Sequence, residues 1–450
     1  MLMLVVVAAL VISSLVGGSY IGYQRGYAES AQVTKPDLEN MVSEIQTLME
    51  TNANITTEND ALRNAVSEIT GRTVKIGYIA SESNTYTQTK VFMETVVQPD
   101  LNAYAASLGL GVDFEFVTYD AMGQANTHLE YVQKLHNSDV NMFIGSGWSS
   151  QGCASLSYVN ANKMLMISPS STSPTLAIAN DRFFRMCSAD TATSPALADI
   201  IWSYGIKELV IIQRGDSWGD GVVNLFTPIF TAKGGTVSQV VRYPAEETDF
   251  CPSLQVARTR GEEAIARMGG DTGKVGVLLL AFDEAPIILR QVSQCEILYN
   301  LVWFGADGTA KSPNILSDTP IQANHLKLFS LLTQKPNSTK YIDLARRYTA
   351  ATGVEFSVFR AYLYDAAWVL AKAIIETGSD NATRVAAVLP SVCESHYGAT
   401  GWCKLNEFGD RAPAPFDIWY YTLGTTKPSV CLQAGTYYPD TRVTIWNTID

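Results

Sequence analysis

One stretch decides the fold, and it runs from Asn141 to Leu176 as NMFIGSGWSSQGCASLSYVNANKMLMISPSSTSPTL. Its pattern predicts a strand, a Gly/Ser turn, a helix, a second strand and a Ser/Pro turn. The strands are the apolar runs Met142 to Gly145 and Met164 to Ile167, and Ser149 and Ser150 stand where the helix should begin, a usual capping position. Because ligands bind at the carboxyl ends of strands in open α/β sheets, two adjacent hydroxyl-rich turns predict a ligand site suited to a carboxylate. Plain helix caps are the alternative.

The rest of the chain continues this alternation of strands and helices. Strand-like runs begin at Val74 (VKIGYIAS) and continue with VDFEFVTYD, FFRMCSAD, ELVIIQRGD, KVGVLLLAF and NLVWFGADG, with helical segments between them. The pattern predicts mostly parallel, doubly wound sheets, and 450 residues call for two of them. Glu82 to Thr87 is predicted to be a loop, and the aromatic tail from Phe408 is predicted to form late strands and extended chain.

Composition excludes several classes of function. The chain has 32 basic and 44 acidic residues, a net charge of −12, which argues against nucleic acid and anionic lipid as partners. No CxxC motif is present and the four histidines are scattered, so neither a metal site nor a cofactor is expected. The segment GWSSQ at residues 147–151 fails the GxSxG pattern, and P-loop and HExxH motifs are absent, so we expect no enzyme.

Cysteines and sequons favour an oxidising location outside the cytoplasm. Cys393 and Cys403 flank the segment ESHYGATGW, which would bring them together in a hairpin, and they are the predicted disulfide. N-x-S/T sequons occur at Asn54, Asn337 and Asn381, and are candidate glycosylation sites.

The N-terminus predicts a membrane anchor at residues 1–24. Leu2 to Tyr23 carries no charge and is about long enough to span a bilayer, and its first half is strongly apolar. A cleaved signal peptide is the alternative, because GYAESA around Ala28 fits a small-residue cleavage site.

Residues 35–72 predict a coiled-coil stalk. Apolar and Asn side chains recur every seven residues over about five heptads, and Asn at the first seam position favours a parallel dimer. The stalk would dimerise the protein and hold it off the membrane; a single amphipathic helix packed on the domain is the alternative. The two seam positions are occupied by Leu38, Ile45, Asn52, Asn59 and Val66, and by Met41, Leu48, Ile55, Leu62 and Ile69.

From Val74 to about Gly424 the chain resembles the type I periplasmic solute-binding proteins, and within them the leucine/isoleucine/valine-binding branch that serves branched-chain amino acid ABC transporters. The resemblance is carried by IGSGWSSQ, MLMISPSSTSPTL, FFRMCSAD, WGDGVVNLF, FDEAPIILRQ, WFGADG and GATGWCKLNEFGDR. It implies two α/β lobes joined by three crossovers that close on a ligand like a hinged clamp. Lobe 1 would span about residues 73–190 and 330–412, and lobe 2 about 191–329 and 413–450.

The resemblance also implies an amino-acid site with polar residues in set roles. Ser149 matches the serine that holds the ligand carboxylate, and Thr172 matches a threonine that contacts both charged groups. Ser170 matches a residue whose carbonyl accepts from the ligand ammonium. Asp307 stands where the family often has an acidic residue facing the ammonium, and Asp190 matches a site-lining aspartate at the first crossover.

Four aromatic residues complete the implied site. Tyr86, Trp218 and Phe282 match aromatic positions that close over the ligand. Trp218 and Phe282 replace tyrosines, so the pocket should be more apolar than in relatives. Trp148 stands where relatives carry a smaller residue, and should narrow the side-chain pocket or stack on it.

The resemblance implies an extracytoplasmic binding protein, and the N-terminal pattern, which is outside the family's usual plan, adds a membrane anchor. The protein would capture an amino acid, expected to be apolar or branched-chain, and deliver it to an ABC permease. A ligand-sensing receptor ectodomain is one alternative, since a parallel coiled coil would transmit lobe closure. Uptake of urea or short amides is another, although it would not need Asp190 and Asp307 together.

Overall fold

The computed structural model describes residues 68–424 and 429–447 and three isolated positions, Ser43, Gln46 and Thr47. The predicted anchor at residues 1–24, the sequon at Asn54 and most of the stalk predicted for residues 35–72 lie outside the described residues. Among the helices that the structure describes, none is long and apolar enough to cross a membrane.

The predicted stalk does not extend through its last residues. Residues 68–71 form a turn, and Ile69 is fully buried in the hydrophobic core of the first lobe. Arg72 pairs with Asp380 at 2.9 Å, which ties the same segment to that lobe. A side chain that faces the core of its own domain cannot also face a second chain, so the prediction that Ile69 is a seam residue is wrong.

The described residues contain fourteen α-helices and sixteen strands. The strands are β1 Thr73–Ala80, β2 Asp113–Asp120, β3 Met142–Ile144, β4 Leu165–Ser168, β5 Phe183–Ser188, β6 Glu208–Arg214, β7 Thr236–Tyr243, β8 Val275–Leu280, β9 Val302–Gly305, β10 Phe329–Thr333, β11 Tyr397–Gly398, β12 Gly401–Trp402, β13 Asp410–Arg411, β14 Phe416–Thr422, β15 Val430–Tyr438 and β16 Val443–Trp446. The helices are α1 Ser83–Phe92, α2 Gln98–Ser107, α3 Ala125–His136, α4 Ser149–Ala161, α5 Asp190–Tyr204, α6 Ser217–Ala232, α7 Cys251–Arg267, α8 Ala285–Val292, α9 Glu296–Tyr299, α10 Pro313–Asp318, α11 Pro320–His325, α12 Thr339–Thr352, α13 Val358–Thr377 and α14 Ala382–Ser395.

Two sheets organise two lobes. The first sheet has the order β2-β1-β3-β4-β5-β13, and all its strands are parallel. The second has the order β7-β6-β8-β9-β10-β14-β15-β16. The chain passes between the lobes after β5, after β10 and after β13. The α/β fold with two lobes and three crossovers is therefore confirmed.

The second sheet differs from the prediction at its C-terminal side. β14, β15 and β16 pair antiparallel, so this sheet is mixed rather than parallel throughout. β10 belongs to the same sheet, and the boundary predicted at residue 329 therefore moves to Thr333. A hairpin run can follow directly from a parallel sheet because antiparallel strands need only short turns.

Continuous apolar runs explain why the central strands form. All six residues of β8, VGVLLL, are buried, as are all seven of β6, ELVIIQR. Strands of this kind are covered by helices on both faces, which gives near-continuous rather than alternating hydrophobic sequence. The polar positions of both lobes are consequently concentrated at the strand ends, where the chain turns.

Two local predictions are wrong. Glu82 to Thr87 is not a loop, because α1 begins at Ser83. Cys393 and Cys403 do not form a disulfide, and all seven cysteines are free. Both thiols lie in the core of the first lobe, where burial raises the pKa of Cys403 to about 12 and also raises that of Cys393, so both are neutral thiols. The exposed sequons at Asn337 and Asn381 stay predictions.

Candidate functional site

A cavity of about 290 Å³ lies between the lobes, at the carboxyl ends of strands from both sheets. Most of its lining comes from the first lobe, and the second lobe closes it with side chains that follow β8 and β9 or belong to α6. Seven of the nine predicted site residues line this cavity: Trp148, Ser149, Ser170, Thr172, Trp218, Phe282 and Asp307.

Serine hydroxyls hold the turns after β3 and β4 together. Ser168 Oγ donates to the Ser146 carbonyl at 2.7 Å, and Ser170 Oγ donates to the Gly147 carbonyl at 2.9 Å. A Cβ on Gly147 would lie 2.0 Å from Ser81 Oγ, so only glycine lets the first turn approach this closely. Most hydroxyls of the stretch are therefore structural, and they fix the shape of one cavity wall.

Ser149 has a different role from the predicted one. The residue that precedes α4 is Trp148, so Ser149 is the first helical residue rather than the cap. Its Oγ accepts from the Ser173 amide at 3.1 Å and so links the two turns. Because a hydroxyl that accepts still has its own proton, Ser149 can donate into the cavity beside the open N–H groups of the helix N-terminus.

A buried histidine supports the first turn, and sequence reasoning missed it. Ser146 has a φ of 57°, and its N–H donates to His128 Nε2 at 2.8 Å. His128 Nδ1 therefore carries the proton and contacts Ser155 Oγ at 2.8 Å. Burial lowers the pKa of His128 to about 3, which keeps the ring neutral and this hydrogen bond in place.

One carboxyl group, that of Asp307, lines the cavity, and a second, that of Asp190, is buried close to it. Asp190 starts α5 at the first crossover and is 1% exposed, and its Oδ2 has no hydrogen-bond partner among the described residues. Asp307 follows β9 and lines the cavity. Burial raises the pKa of Asp190 to about 6, while burial and the charge of Asp190 raise the pKa of Asp307 to about 7. The Asp190 N–H donates to the Thr172 carbonyl at 2.8 Å, and the Asp190 side chain is not among those that line the cavity. Two adjacent carboxyls of this kind are stabilised as anions by a cation.

An aromatic cluster joins the two lobes across the cavity. Trp218 stacks on Phe282 with ring centroids 4.4 Å apart, and Phe282 lies 5.5 Å from Trp148 of the first lobe. The Arg214 guanidinium lies 5.4 Å from the Trp148 ring and 5.2 Å from the Phe282 ring, and pairs with Glu284 at 3.1 Å. Trp218, Phe282 and Trp148 thus lie together across the cleft, and their contact with a ligand stays a prediction.

Tyr86 is not part of the cavity. It lies on α1, where its hydroxyl is 3.4 Å from Thr118 Oγ1 of β2 and its ring packs on the core of the first lobe. Since residues 83–87 are helical rather than a loop, the side chain is directed toward β2. On the same helix, Asn84 Nδ2 donates to Asp283 Oδ2 of the second lobe at 3.0 Å.

Sequence reasoning also missed one side of the cavity. Glu82 follows β1, so the strand-end rule offered a signal for it and for its neighbour Ser81. Arg360 lies near the start of α13, far away in sequence, and no local pattern indicates it. The missed lining side chains are Tyr78, Ile79, Ser81, Glu82, Thr85, Pro169, Ser357, Phe359 and Arg360.

Comparisons with known proteins agree with this architecture. The chain is 27% identical over 371 residues to the uncharacterized protein MJ1266 of Methanocaldococcus jannaschii, covering 78% of this chain and 87% of that one. It is 21% identical over 323 residues to the leucine-, isoleucine-, valine-, threonine- and alanine-binding protein of Pseudomonas aeruginosa, covering 71% and 82%. The leucine binding protein LivK of Thermotoga maritima superposes with a TM-score of 0.67 at 20% identity, covering 82% and 99%, and so shares the fold. The model of the receptor family ligand binding region matches residues 100–424, more than half of the chain, and the protein therefore belongs to that family.

Proposed function

We propose that the protein captures a free α-amino acid between its lobes, outside the cytoplasm, and delivers it to an ABC permease. Its family and fold support a solute-binding role. The observation that carries the finer proposal is the placement of a hydroxyl-rich turn and the Asp307 carboxyl around one cavity, with the buried Asp190 carboxyl beside Asp307. An α-amino acid carries one group of each opposite charge, and this cavity offers a counterpart to both.

The ligand carboxylate is assigned to the turn after β3. Ser149 and Thr172 present hydroxyls there, and α4 begins at Ser149 with its first N–H groups unpaired within the helix. The helix dipole adds favourable potential for an anion at this end. A carboxylate bound here would accept charge-assisted hydrogen bonds without a full positive charge nearby.

The ligand ammonium is assigned to Asp190 and Asp307. The Ser170 carbonyl accepts no hydrogen bond from the described residues, which leaves it available as a third acceptor. An ammonium has three N–H donors, and the two oxygens of the Asp307 carboxylate with the Ser170 carbonyl match that number, while the nearby Asp190 carboxyl adds negative potential. Urea and short amides carry no charge to offset the paired carboxylates, so this pair disfavours them as ligands.

Contacts across the cleft support capture by closure. Asn84 bonds to Asp283 between the lobes, and Ser173 Oγ donates to the Ser217 carbonyl at 2.8 Å. Together with Phe282 against Trp148, these contacts form only when the lobes approach. Ligand that bridges the lobes would favour this arrangement, as in hinged binding proteins.

The test is calorimetric titration of the full chain, unfolded and refolded beforehand to remove carried-over ligand. We expect binding to α-amino acids and none to urea or acetamide. Asp307→Asn should weaken that binding at least roughly thirtyfold, because a buried ammonium loses a charged partner. Its thermal midpoint should stay near that of the wild type, and Asp318→Asn, at an exposed carboxyl, is the matched control. Unchanged affinity in Asp307→Asn would reject this site.

Surface attachment and dimerisation are parts of the proposal that rest on sequence pattern. The anchor at residues 1–24 would retain the protein at the membrane, and a stalk ending before Glu68 would dimerise it. Light scattering should give a dimer for a chain that begins at Ala31 and a monomer for one that begins at Glu68. The same oligomeric state for both chains would contradict the predicted stalk. The family description favours ligand sensing as the alternative function. If the protein only senses its ligand, deletion of the gene should leave amino-acid uptake by the cell unchanged.

A further inference from the structure

The cavity has a second polar side that the zwitterion does not use. Ser81, Glu82 and Thr85 reach it from the end of β1 and the start of α1, and Arg360 reaches it from the start of α13. In the first sheet β1 is the neighbour of β3, and β3 is the neighbour of β4. This side therefore lies next to the hydroxyl-rich turns, where the side chain of a bound amino acid would extend.

Two opposite charges on this side form no ion pair with the described residues. The Arg360 guanidinium makes no hydrogen bond or ion pair with the described residues, and Glu82 forms no ion pair with it or with any of them. The two groups still affect each other: burial and the charge of Asp283 raise the pKa of Glu82 to about 7, and Arg360 opposes that rise. The gap between them is thus lined by one strong donor and one acceptor.

The charges discriminate among ligand side chains. An aliphatic side chain would leave both partly buried charges without a counter-charge, which is unfavourable. A carboxylate would pair with Arg360 but face the negative charge of Glu82. An ammonium or guanidinium would pair with Glu82 but face Arg360. A carboxamide has an acceptor oxygen and donor N–H groups without net charge, so it matches both.

We propose, building on the proposed function above, that the ligand is an α-amino acid with a carboxamide side chain, glutamine or asparagine. Arg360 donates to the amide oxygen, and Glu82 accepts from the amide N–H. The Trp148, Phe282 and Trp218 rings cover the aliphatic part of the ligand. This ligand differs from the apolar or branched-chain amino acid that the sequence implied.

Titration of the refolded full chain with glutamine, asparagine, glutamate, lysine, leucine and isoleucine tests this assignment. Glutamine or asparagine should bind at least about tenfold more tightly than leucine. Arg360→Met should weaken glutamine or asparagine binding by roughly tenfold to a hundredfold and change leucine binding by less than about threefold, because only the carboxamide uses the guanidinium. Arg290→Met, at an exposed arginine on α8, is the matched control and should change neither.

Glu82→Gln is the second variant, and it tests the acceptor independently of Arg360. Removing the negative charge should raise glutamate affinity at least roughly tenfold relative to glutamine, since a carboxylate would then meet Arg360 alone. Leucine or isoleucine binding more tightly than both amides would overturn the carboxamide assignment and leave amino-acid capture standing. No binding of any amino acid would overturn the assignment and the proposed function together.

Discussion

Lowering the pH should release the ligand, because the two carboxyls assigned to the ammonium titrate near neutrality. Burial raises the pKa of Asp190 to about 6, and burial with the Asp190 charge raises that of Asp307 to about 7. An ammonium favours the ionised carboxylates, so binding must displace protons at any pH where they are protonated. Affinity should therefore fall as pH falls through this range.

The size of the effect follows from the two pKa values. If one ionised carboxyl of the pair suffices, affinity drops about tenfold from pH 8 to pH 5; if both are required, it drops about a thousandfold. At pH 6.5 the pair holds about one proton, so binding there should release about one. A free amino acid keeps both its charges between pH 5 and 7, so the protein groups dominate the change there.

Calorimetry in two buffers of different ionisation enthalpy measures both quantities. Glu82, with a pKa of about 7, titrates in the same range. Glu82→Gln should therefore keep the part of the pH dependence that comes from the carboxyl pair, whereas Asp307→Asn should lose most of that part between pH 6 and 8. The same pKa shifts make the pair favour the folded state at low pH, and this contribution is lost as pH rises from about 4 to 7. An affinity that is constant from pH 5 to 8 with no proton released would refute the reasoning.

Three further results are expected. Gly147→Ala should destabilise the protein by about 1–3 kcal/mol in urea unfolding, because its Cβ would meet Ser81 Oγ at 2.0 Å, whereas Gly261→Ala, with its nearest atom at 3.3 Å, should stay close to wild type; equal losses would count against the close approach. Asp410→Asn should cost about 3–5 kcal/mol, because Arg185 is 0% exposed and bonded to Asp410 at 2.9 Å, and a loss under about 1 kcal/mol would contradict this. Protein that is unfolded without a reducing agent should react with seven equivalents of a thiol reagent, because all seven cysteines are free. Reaction with only five equivalents would mean that two cysteines form a disulfide, as the sequence predicted.

The site was predictable where it depends on strand ends. Ser149, Thr172 and Asp307 each follow a strand that the sequence marks by a short apolar run, and the structure brings all three to one cavity. The predicted place of Tyr86 in the site was wrong because residues 82–87 have the pattern of a loop, whereas a helix begins at Ser83 and directs the Tyr86 side chain toward β2. Hydrophobic periodicity and residue propensity predict that a helix exists more readily than they predict the residue at which it begins. An error in that first residue changes the direction in which the side chains of the first helical turn point.

Long-range partners were beyond what the sequence pattern conveys. Arg185 donates from Nη1 to the Ser173 carbonyl at 2.8 Å and pairs with Asp410, 225 positions away, so the ligand turn is tied to the third crossover. Glu82 and Arg360 come to the same cavity only after the first lobe folds. Contacts of this kind depend on the tertiary arrangement, and no local sequence pattern predicts them.

The central claim is that one cavity holds the two charges of an α-amino acid. Its most direct test is titration of the refolded full chain with the tightest-binding amino acid and with its 2-hydroxy acid, which lacks only the ammonium. We expect the amino acid to bind and the hydroxy acid to bind at least roughly thirtyfold more weakly, because Asp190 and Asp307 would then face no cation. Equal affinities would contradict the assignment of the carboxyl pair and with it the proposed recognition of amino acids.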